Sequence, residues 1–282
     1  VKSPLVTTAW LARQLENPQV RIVELRGKVL PPSKPPPHYF TDRAGYEHGH
    51  IPNAVFVDWQ VDIVAPGSPL NDVAEPERFA ALMGALGIGN DTTVVLYDNA
   101  ASMLACRLRW ALRYYGHEQV FILDGGWDKW LADGRPVSAD IPQVETRQFE
   151  ARINPRLKAS AKDILAGLDT GDMQLIDVRS PAEYAGEASR ARFGGHIPTA
   201  ISIPRKTMLA DDLTVKPAPE LQRHFAERGV ALNANDTVIY CNSGVSASFA
   251  MLALEIAGAR NLRLYDGSWK EWGNDVATPK AI

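Results

Sequence analysis

Short apolar runs rich in β-branched residues alternate with longer stretches of helical periodicity, and the alternation occurs twice along the chain. In the first half, VRIVELR at 20–26, AVFVD at 54–58, TTVVLYD at 92–98 and QVFILDGG at 119–126 predict strands. MLACRLRWALRYYG at 103–116 predicts a helix with Leu104, Leu108, Ala111 and Leu112 sharing a face. A second helix is expected from Glu75 onward, packing through Ala80, Ala81, Leu82 and Leu86. The second half runs MQLIDVR, AISIP, DTVIYC, the helical ASFAMLALEIAG, and NLRLYDG. Nearly continuous apolar strands separated by helices predict an α/β fold, with a mainly parallel sheet covered on both faces.

The two halves repeat in sequence as well as in pattern. GHIPNAVFVD at 49–58 returns as GHIPTAISIP at 195–204, and TVVLYD, ending at Asp98, returns as DTVIYC, ending at Cys241. LDGGWDKW at 123–130 returns as LYDGSWKEW at 264–272. Three matches in the same order predict two copies of one domain. The expected division is residues 1–137, a proline-bearing linker at 138–158, and residues 159–282. VLPPSKPPPHYF at 29–40 is expected to be an ordered extended segment. Ligands in such folds bind beyond the carboxyl ends of the strands, where Asp98 and Cys241 fall.

Composition narrows the function classes. The chain has 282 residues, 22% of them charged, with a formal net charge of −3, and no basic domain or stripe. Nucleic acid is therefore not an expected partner. The absence of an 18-residue apolar run argues against a membrane span. A cytoplasmic location is favoured, with a periplasmic or organellar one following if the N-terminus is processed. Six histidines show no metal motif, and neither GxGxxG nor GxxxxGK[ST] occurs, so no metal or cofactor is expected.

Only two cysteines are present, in contrasting settings. Cys106 lies within the predicted helix LACRLRWAL and reads as a core residue. Cys241 ends a strand and opens the loop Asn242-Ser243-Gly244-Val245-Ser246-Ala247 before a helix. Such a turn aims backbone N–H groups and a helix N-terminus at one point, which stabilises an anion such as a thiolate or persulfide. Ser246 and Ser248 have the more ordinary reading of helix caps. A cysteine phosphatase requires arginine at the sixth position of C-x5-R, and Ala247 stands there. Where the second copy has Cys241 the first has Asp98, which cannot accept sulfur. The first copy is therefore expected to be catalytically silent.

The tandem GHIP segments, the VVLYD…LDGGW pattern and the CNSGVSAS loop resemble the two-domain rhodanese family of sulfurtransferases over nearly the whole chain. The resemblance implies two tandem rhodanese-like domains, of which the C-terminal one carries a Cys241 persulfide. It also implies a small-molecule sulfur donor, with a thiol, cyanide or protein thiol as acceptor. Thiosulfate enzymes of the family commonly place basic residues directly after the cysteine, whereas Asn242 and Ser243 are neutral. The loop is more similar to the 3-mercaptopyruvate branch. By that resemblance Ser243 is the serine of a Ser/His/Asp relay, His50 its histidine and Asp42 its carboxylate, with Asp58 and Asp62 competing for the last role. Donor-binding arginines are expected among Arg179, Arg190 and Arg192, although Glu183 stands where the animal enzymes are basic. The alternatives are a thiosulfate sulfurtransferase and a non-catalytic sulfur-carrier or binding module.

Overall fold

The computed structural model describes residues 3–282. The first half contributes β1 (Leu5–Val6), β2 (Val20–Glu24), β3 (Gly27–Val29), β4 (Tyr39–Thr41), β5 (Ala54–Phe56), β6 (Thr93–Tyr97) and β7 (Val120–Leu123). The second contributes β8 (Lys158–Ala159), β9 (Gln174–Asp177), β10 (Ile201–Ser202), β11 (Thr237–Tyr240) and β12 (Leu262–Tyr265). One parallel sheet runs β1-β7-β6-β2-β5, and the other β10-β9-β11-β12-β8. Matching β1 with β8, β2 with β9, β5 with β10, β6 with β11 and β7 with β12 makes the two orders identical. The central strands are buried from Val94 to Tyr97 and from Thr237 to Tyr240, as covered parallel strands must be.

The repeat extends to individual hydrogen bonds. Arg26 pairs with Glu24 and donates to the Gly49 carbonyl at 2.8 Å; Arg179 pairs with Asp177 and donates to the Gly195 carbonyl at 2.7 Å. The Tyr97 hydroxyl accepts from the Ile51 amide at 3.0 Å, as the Tyr240 hydroxyl does from Ile197 at 3.0 Å. In each half the D-x-R or E-x-R arginine and the strand-end tyrosine therefore clamp the GHIP turn to the sheet. That fixes where the loop after β6 or β11 emerges.

The halves meet through two helices, Met103–Tyr114 and Val245–Ala257. The first is buried without interruption from Met103 to Leu112, because its second face packs on the other domain rather than on water. Arg107, on that face, lies 2.6 Å from Asp266 at the end of β12, both side chains almost fully buried. Asp266 also accepts the Val73 amide at 3.3 Å and meets Lys158 at 3.3 Å. A matching contact runs the other way, the Val215 amide donating to Asp124 at 2.9 Å. The two domains thus exchange equivalent clasps across an approximate two-fold.

Two local expectations changed. The helix near Glu75 spans Pro76–Ala85, but it buries Phe79, Met83 and Gly84, while Ala81 is exposed. Phe79 packs on Tyr115 and Phe149, and these rings set the rotation that a run of small alanines left ambiguous. The proline-rich stretch is the connection of an antiparallel hairpin, β3 with β4, that folds over toward the second domain. No helix among the described residues is long and apolar enough to cross a membrane.

Replacing Arg107 with Met keeps its bulk and leaves the Asp266 carboxylate buried with only Lys158 as a cation. Stability measured by urea denaturation is expected to fall by about 3 kcal/mol. A loss below about 1 kcal/mol contradicts the clasp.

Candidate active site

Cys241 follows the last residue of β11, at the carboxyl edge of the second sheet. The loop from Cys241 to Gly244 turns directly into the 245–257 helix, whose N-cap is Gly244 at φ +73°. A Cβ at this glycine would stand 2.8 Å from an Arg107 nitrogen and 3.0 Å from Asp266, so the interdomain clasp presses against the loop. Both ends of the loop are tied to one atom. Ser268 Oγ accepts the Cys241 amide at 3.2 Å and the Gly244 amide at 3.1 Å, and donates to the Tyr265 carbonyl at 2.7 Å. Ser268 itself sits at φ +52°, where the first copy has Gly126 at φ +56°. A side chain accepted in this strained region is explained by what its oxygen holds.

The first copy shows what such a loop does with an anionic side chain. Asp98 is buried, and its Oδ1 accepts the Ala100 and Ser102 amides at 2.8 and 2.9 Å. Its Oδ2 accepts the Leu104 and Ala105 amides at 2.7 and 2.8 Å. Burial pushes this carboxyl up while the four amides pull it down. Two N–H bonds on each oxygen leave no room for a carboxyl proton, so the group is read as the carboxylate. Of the matching amides in the second copy, those of Ser243, Val245 and Ala247, with that of Ser246 beside them, find no protein acceptor among the described residues, whereas the Ser248 amide donates to the Gly244 carbonyl at 3.2 Å. The two loops therefore differ in one respect that matters: the first is filled by its own side chain, and the second is open to an anion built on Cys241.

Cys241 is only 4% exposed, yet it lines a cavity of about 530 Å³ between the domains. The hairpin supplies one wall through Val29, Leu30 and Tyr39, and Met103 comes from the interdomain helix. Ser243 donates toward the Tyr39 hydroxyl at 3.4 Å, a long contact. Burial pushes the Tyr39 phenol up, against the pull of Ser243 and Arg190. Asn242 Nδ2 donates to Glu183 at 2.6 Å, and Glu183 pairs with Arg190. Ser246 Oγ contacts the Met103 sulfur at 3.2 Å, and Ser248 Oγ donates back to the Gly244 carbonyl at 2.7 Å. Neither serine caps the helix.

The structure gathers Cys241, Asn242, Ser243, Gly244, Val245 and Ser246 in one place, with Ala247 in the first turn of the helix behind them. It does not bring the relay together. His50 is fully buried in the first domain, Nδ1 2.8 Å from the Tyr46 carbonyl and Nε2 3.2 Å from that of Asp140. His196 repeats this at the second GHIP turn, Nδ1 2.9 Å from the Tyr184 carbonyl and stacked on the Tyr184 ring. Pinning that turn is thus the common role, and His50 is corrected to it. Asp42 is exposed and caps the helix Arg43–His48 by accepting the Gly45 amide at 2.9 Å. Asp58 and Asp62 are engaged in a local turn.

The arginines divide differently from expectation. Arg179 and Arg190 line the cavity, but both are paired: Arg179 with Asp177, and Arg190 with Glu183 and the Leu30 carbonyl. Burial works against the Arg179 charge, and Asp177 outweighs it. Arg192 is exposed against Phe193, outside the cavity. Tyr39, Arg205 and Ser268 escaped sequence reasoning. Arg205 follows the second GHIP strand, where the first copy has Trp59, and that mismatch within the repeat was the available signal. Cys106 is a core thiol that burial pushes well up.

The rhodanese-like domain family matches residues 7–133 and 160–275. The sulfur carrier protein TtuD of Thermus thermophilus is 35% identical over 290 residues, covering 98% of this chain and 96% of that protein. A thiosulfate sulfurtransferase of Corynebacterium glutamicum is 32% identical, with 98% and 89% covered. Among solved structures, the 3-mercaptopyruvate sulfotransferase SseA of Escherichia coli superposes with a TM-score of 0.84 at 32% identity, over 95% of this chain and 99% of that one.

Replacing Ser268 with Ala unties both loop ends while leaving the volume nearly unchanged. Sulfur-transfer kcat is expected to fall about tenfold or more, with a smaller change in KM, because the nucleophile loses its placement. Unchanged kcat in a folded variant contradicts this role for Ser268.

Proposed function

The chain belongs to the rhodanese family of sulfurtransferases, and on that footing we propose that Cys241 takes sulfane sulfur from thiosulfate and passes it to a thiol. The observation that carries this reading is the set of unpaired amides around Cys241, beside a twin loop in which a carboxylate takes the same kind of amides. From Cβ outward, Cγ and Oδ of aspartate correspond to Sγ and the outer sulfur of a persulfide. The Asp98 oxygens thus mark where that outer sulfur would be held.

In the first half-reaction the Cys241 thiolate attacks the outer sulfur of thiosulfate. A new S–S bond forms, the thiosulfate S–S bond breaks, and sulfite leaves with the electron pair. An acceptor thiolate then attacks the outer sulfur of the persulfide, which forms an acceptor persulfide and returns the Cys241 thiolate. Sulfite requires no proton on leaving, whereas the enolate released from 3-mercaptopyruvate does. With His50 and Asp42 engaged elsewhere, the relay that would supply this proton is not assembled. Relatives named as thiosulfate sulfurtransferases support the same choice.

A second reading keeps 3-mercaptopyruvate as donor. The contact between Ser243 and Tyr39 offers a pair of hydroxyl groups beside Cys241, and the E. coli structure is of an enzyme with that substrate. The two donors are separated by kcat/KM measured with a common acceptor, and a preference for thiosulfate is expected. A tenfold or greater preference for 3-mercaptopyruvate, roughly 1.4 kcal/mol in barrier height, overturns it.

The chemistry itself is tested by mass. Incubation with thiosulfate is expected to add one sulfur, about 32 Da, to the protein, and cyanide to remove it. Cys241→Ser is expected to gain nothing and to lose all turnover. Activity persisting in this variant would remove Cys241 from the mechanism.

A further inference from the structure

One cation of the Cys241 cavity is not among the arginines the family pattern pointed to. Arg205 lies just past β10, after Pro204, and lines the same cavity as Cys241. Among the described residues, no carboxylate lies within ion-pair distance of it, in contrast to Arg179 and Arg190. Its guanidinium carbon stands over the Phe249 ring, 5.4 Å from the ring centroid. Nη1 donates to the Ala101 carbonyl of the first domain at 3.0 Å, and among the described residues no other side-chain hydrogen bond of Arg205 is formed. Lys206, exposed beside it, lines the cavity too.

The Ala101 carbonyl is aimed by the inactive loop. Ala101 and Ser102 stand at φ +52° and +62°, an unusual pair of left-handed non-glycine residues. The amides on either side of Ala101 are held there by Asp98. Burial lowers the Arg205 pKa from its ordinary value, against the pull of Asp98, Cys106 and Cys241. Glu183, bonded to Asn242, cancels the charge of Arg190 on its side of the cavity. The corresponding first-copy residue is Trp59, so the cation is peculiar to the half that carries Cys241.

We propose that Arg205 holds the anionic group of the sulfur donor, sulfonate or carboxylate, and that the Asp98 loop of the first domain positions it for this. The degenerate domain thereby contributes directly to donor binding, since its buried carboxylate fixes the backbone that aims the cation. The donor's identity rests on the sulfurtransferase reading, but the presence of an anion clamp beside Cys241 does not.

The test compares alkylation of Cys241 by iodoacetate, an anion, with that by neutral iodoacetamide; in both, the thiolate forms an S–C bond and iodide leaves. Removing the charge with Arg205→Gln is expected to lower the iodoacetate to iodoacetamide rate ratio about tenfold, as for loss of a charged hydrogen bond, and to raise KM for thiosulfate similarly. Arg205→Lys is expected to keep most of the ratio, and Arg205→Met, an apolar side chain of similar length, to behave like Arg205→Gln should the latter fold poorly. A purely structural role would slow both reagents equally, and an unchanged ratio in a folded neutral variant overturns the proposal. Wild-type protein that gains no sulfur from any donor counts against the sulfurtransferase reading alone, because the alkylation ratio is measured without one.

Discussion

Backbone amides at the start of a buried helix call for acceptors, and the two domains answer that requirement differently. The first domain closes its loop with its own Asp98 carboxylate, four N–H groups converging on two oxygens. The second domain has a cysteine at that place, one atom shorter than the aspartate of the first. On the proposed reading, sulfur added to the Cys241 thiolate supplies the missing atom and carries the thiolate's charge outward to it. A loop that stabilises that persulfide favours its formation from a donor.

The rest of the molecule keeps this loop still and controls what reaches it. Ser268 ties the two ends of the turn, and the Arg107–Asp266 pair packs against Gly244 from the other domain. Neither domain alone would form the cavity, because its lining draws on the hairpin of the first and the Cys241 loop of the second. The first copy, with Asp98 in place of a cysteine, is therefore still part of the site. It supplies Tyr39, Met103, the clasp to Asp266 and the carbonyl that meets Arg205.

The fold and the position of the Cys241 loop are legible in the sequence for a common reason: both are repeated, one faithfully and the other with a telling change. GHIP, the strand ending at Asp98 or Cys241 and the LDGGW turn appear twice, and the two sheets share one strand order. His50 is misread when it is considered alone, because its twin His196 makes the same carbonyl contact at the second turn. Residues whose roles arise from packing between domains leave little local trace. Arg179 and Arg205 look alike as letters, but Asp177 two residues away neutralises the first, and only the folded interface leaves the second unpaired. Phe79 and Met83 set the rotation of their helix through partners distant in sequence, which an alanine-rich pattern does not disclose.

The most direct test is a crystal structure of the protein after treatment with a sulfur donor, with the second domain overlaid on the first. The outer sulfur on Cys241 is expected to fall where the Asp98 oxygens lie, accepting N–H bonds from the 243–247 segment. An outer sulfur turned toward the cavity mouth, with those amides bonded to water instead, would contradict the account.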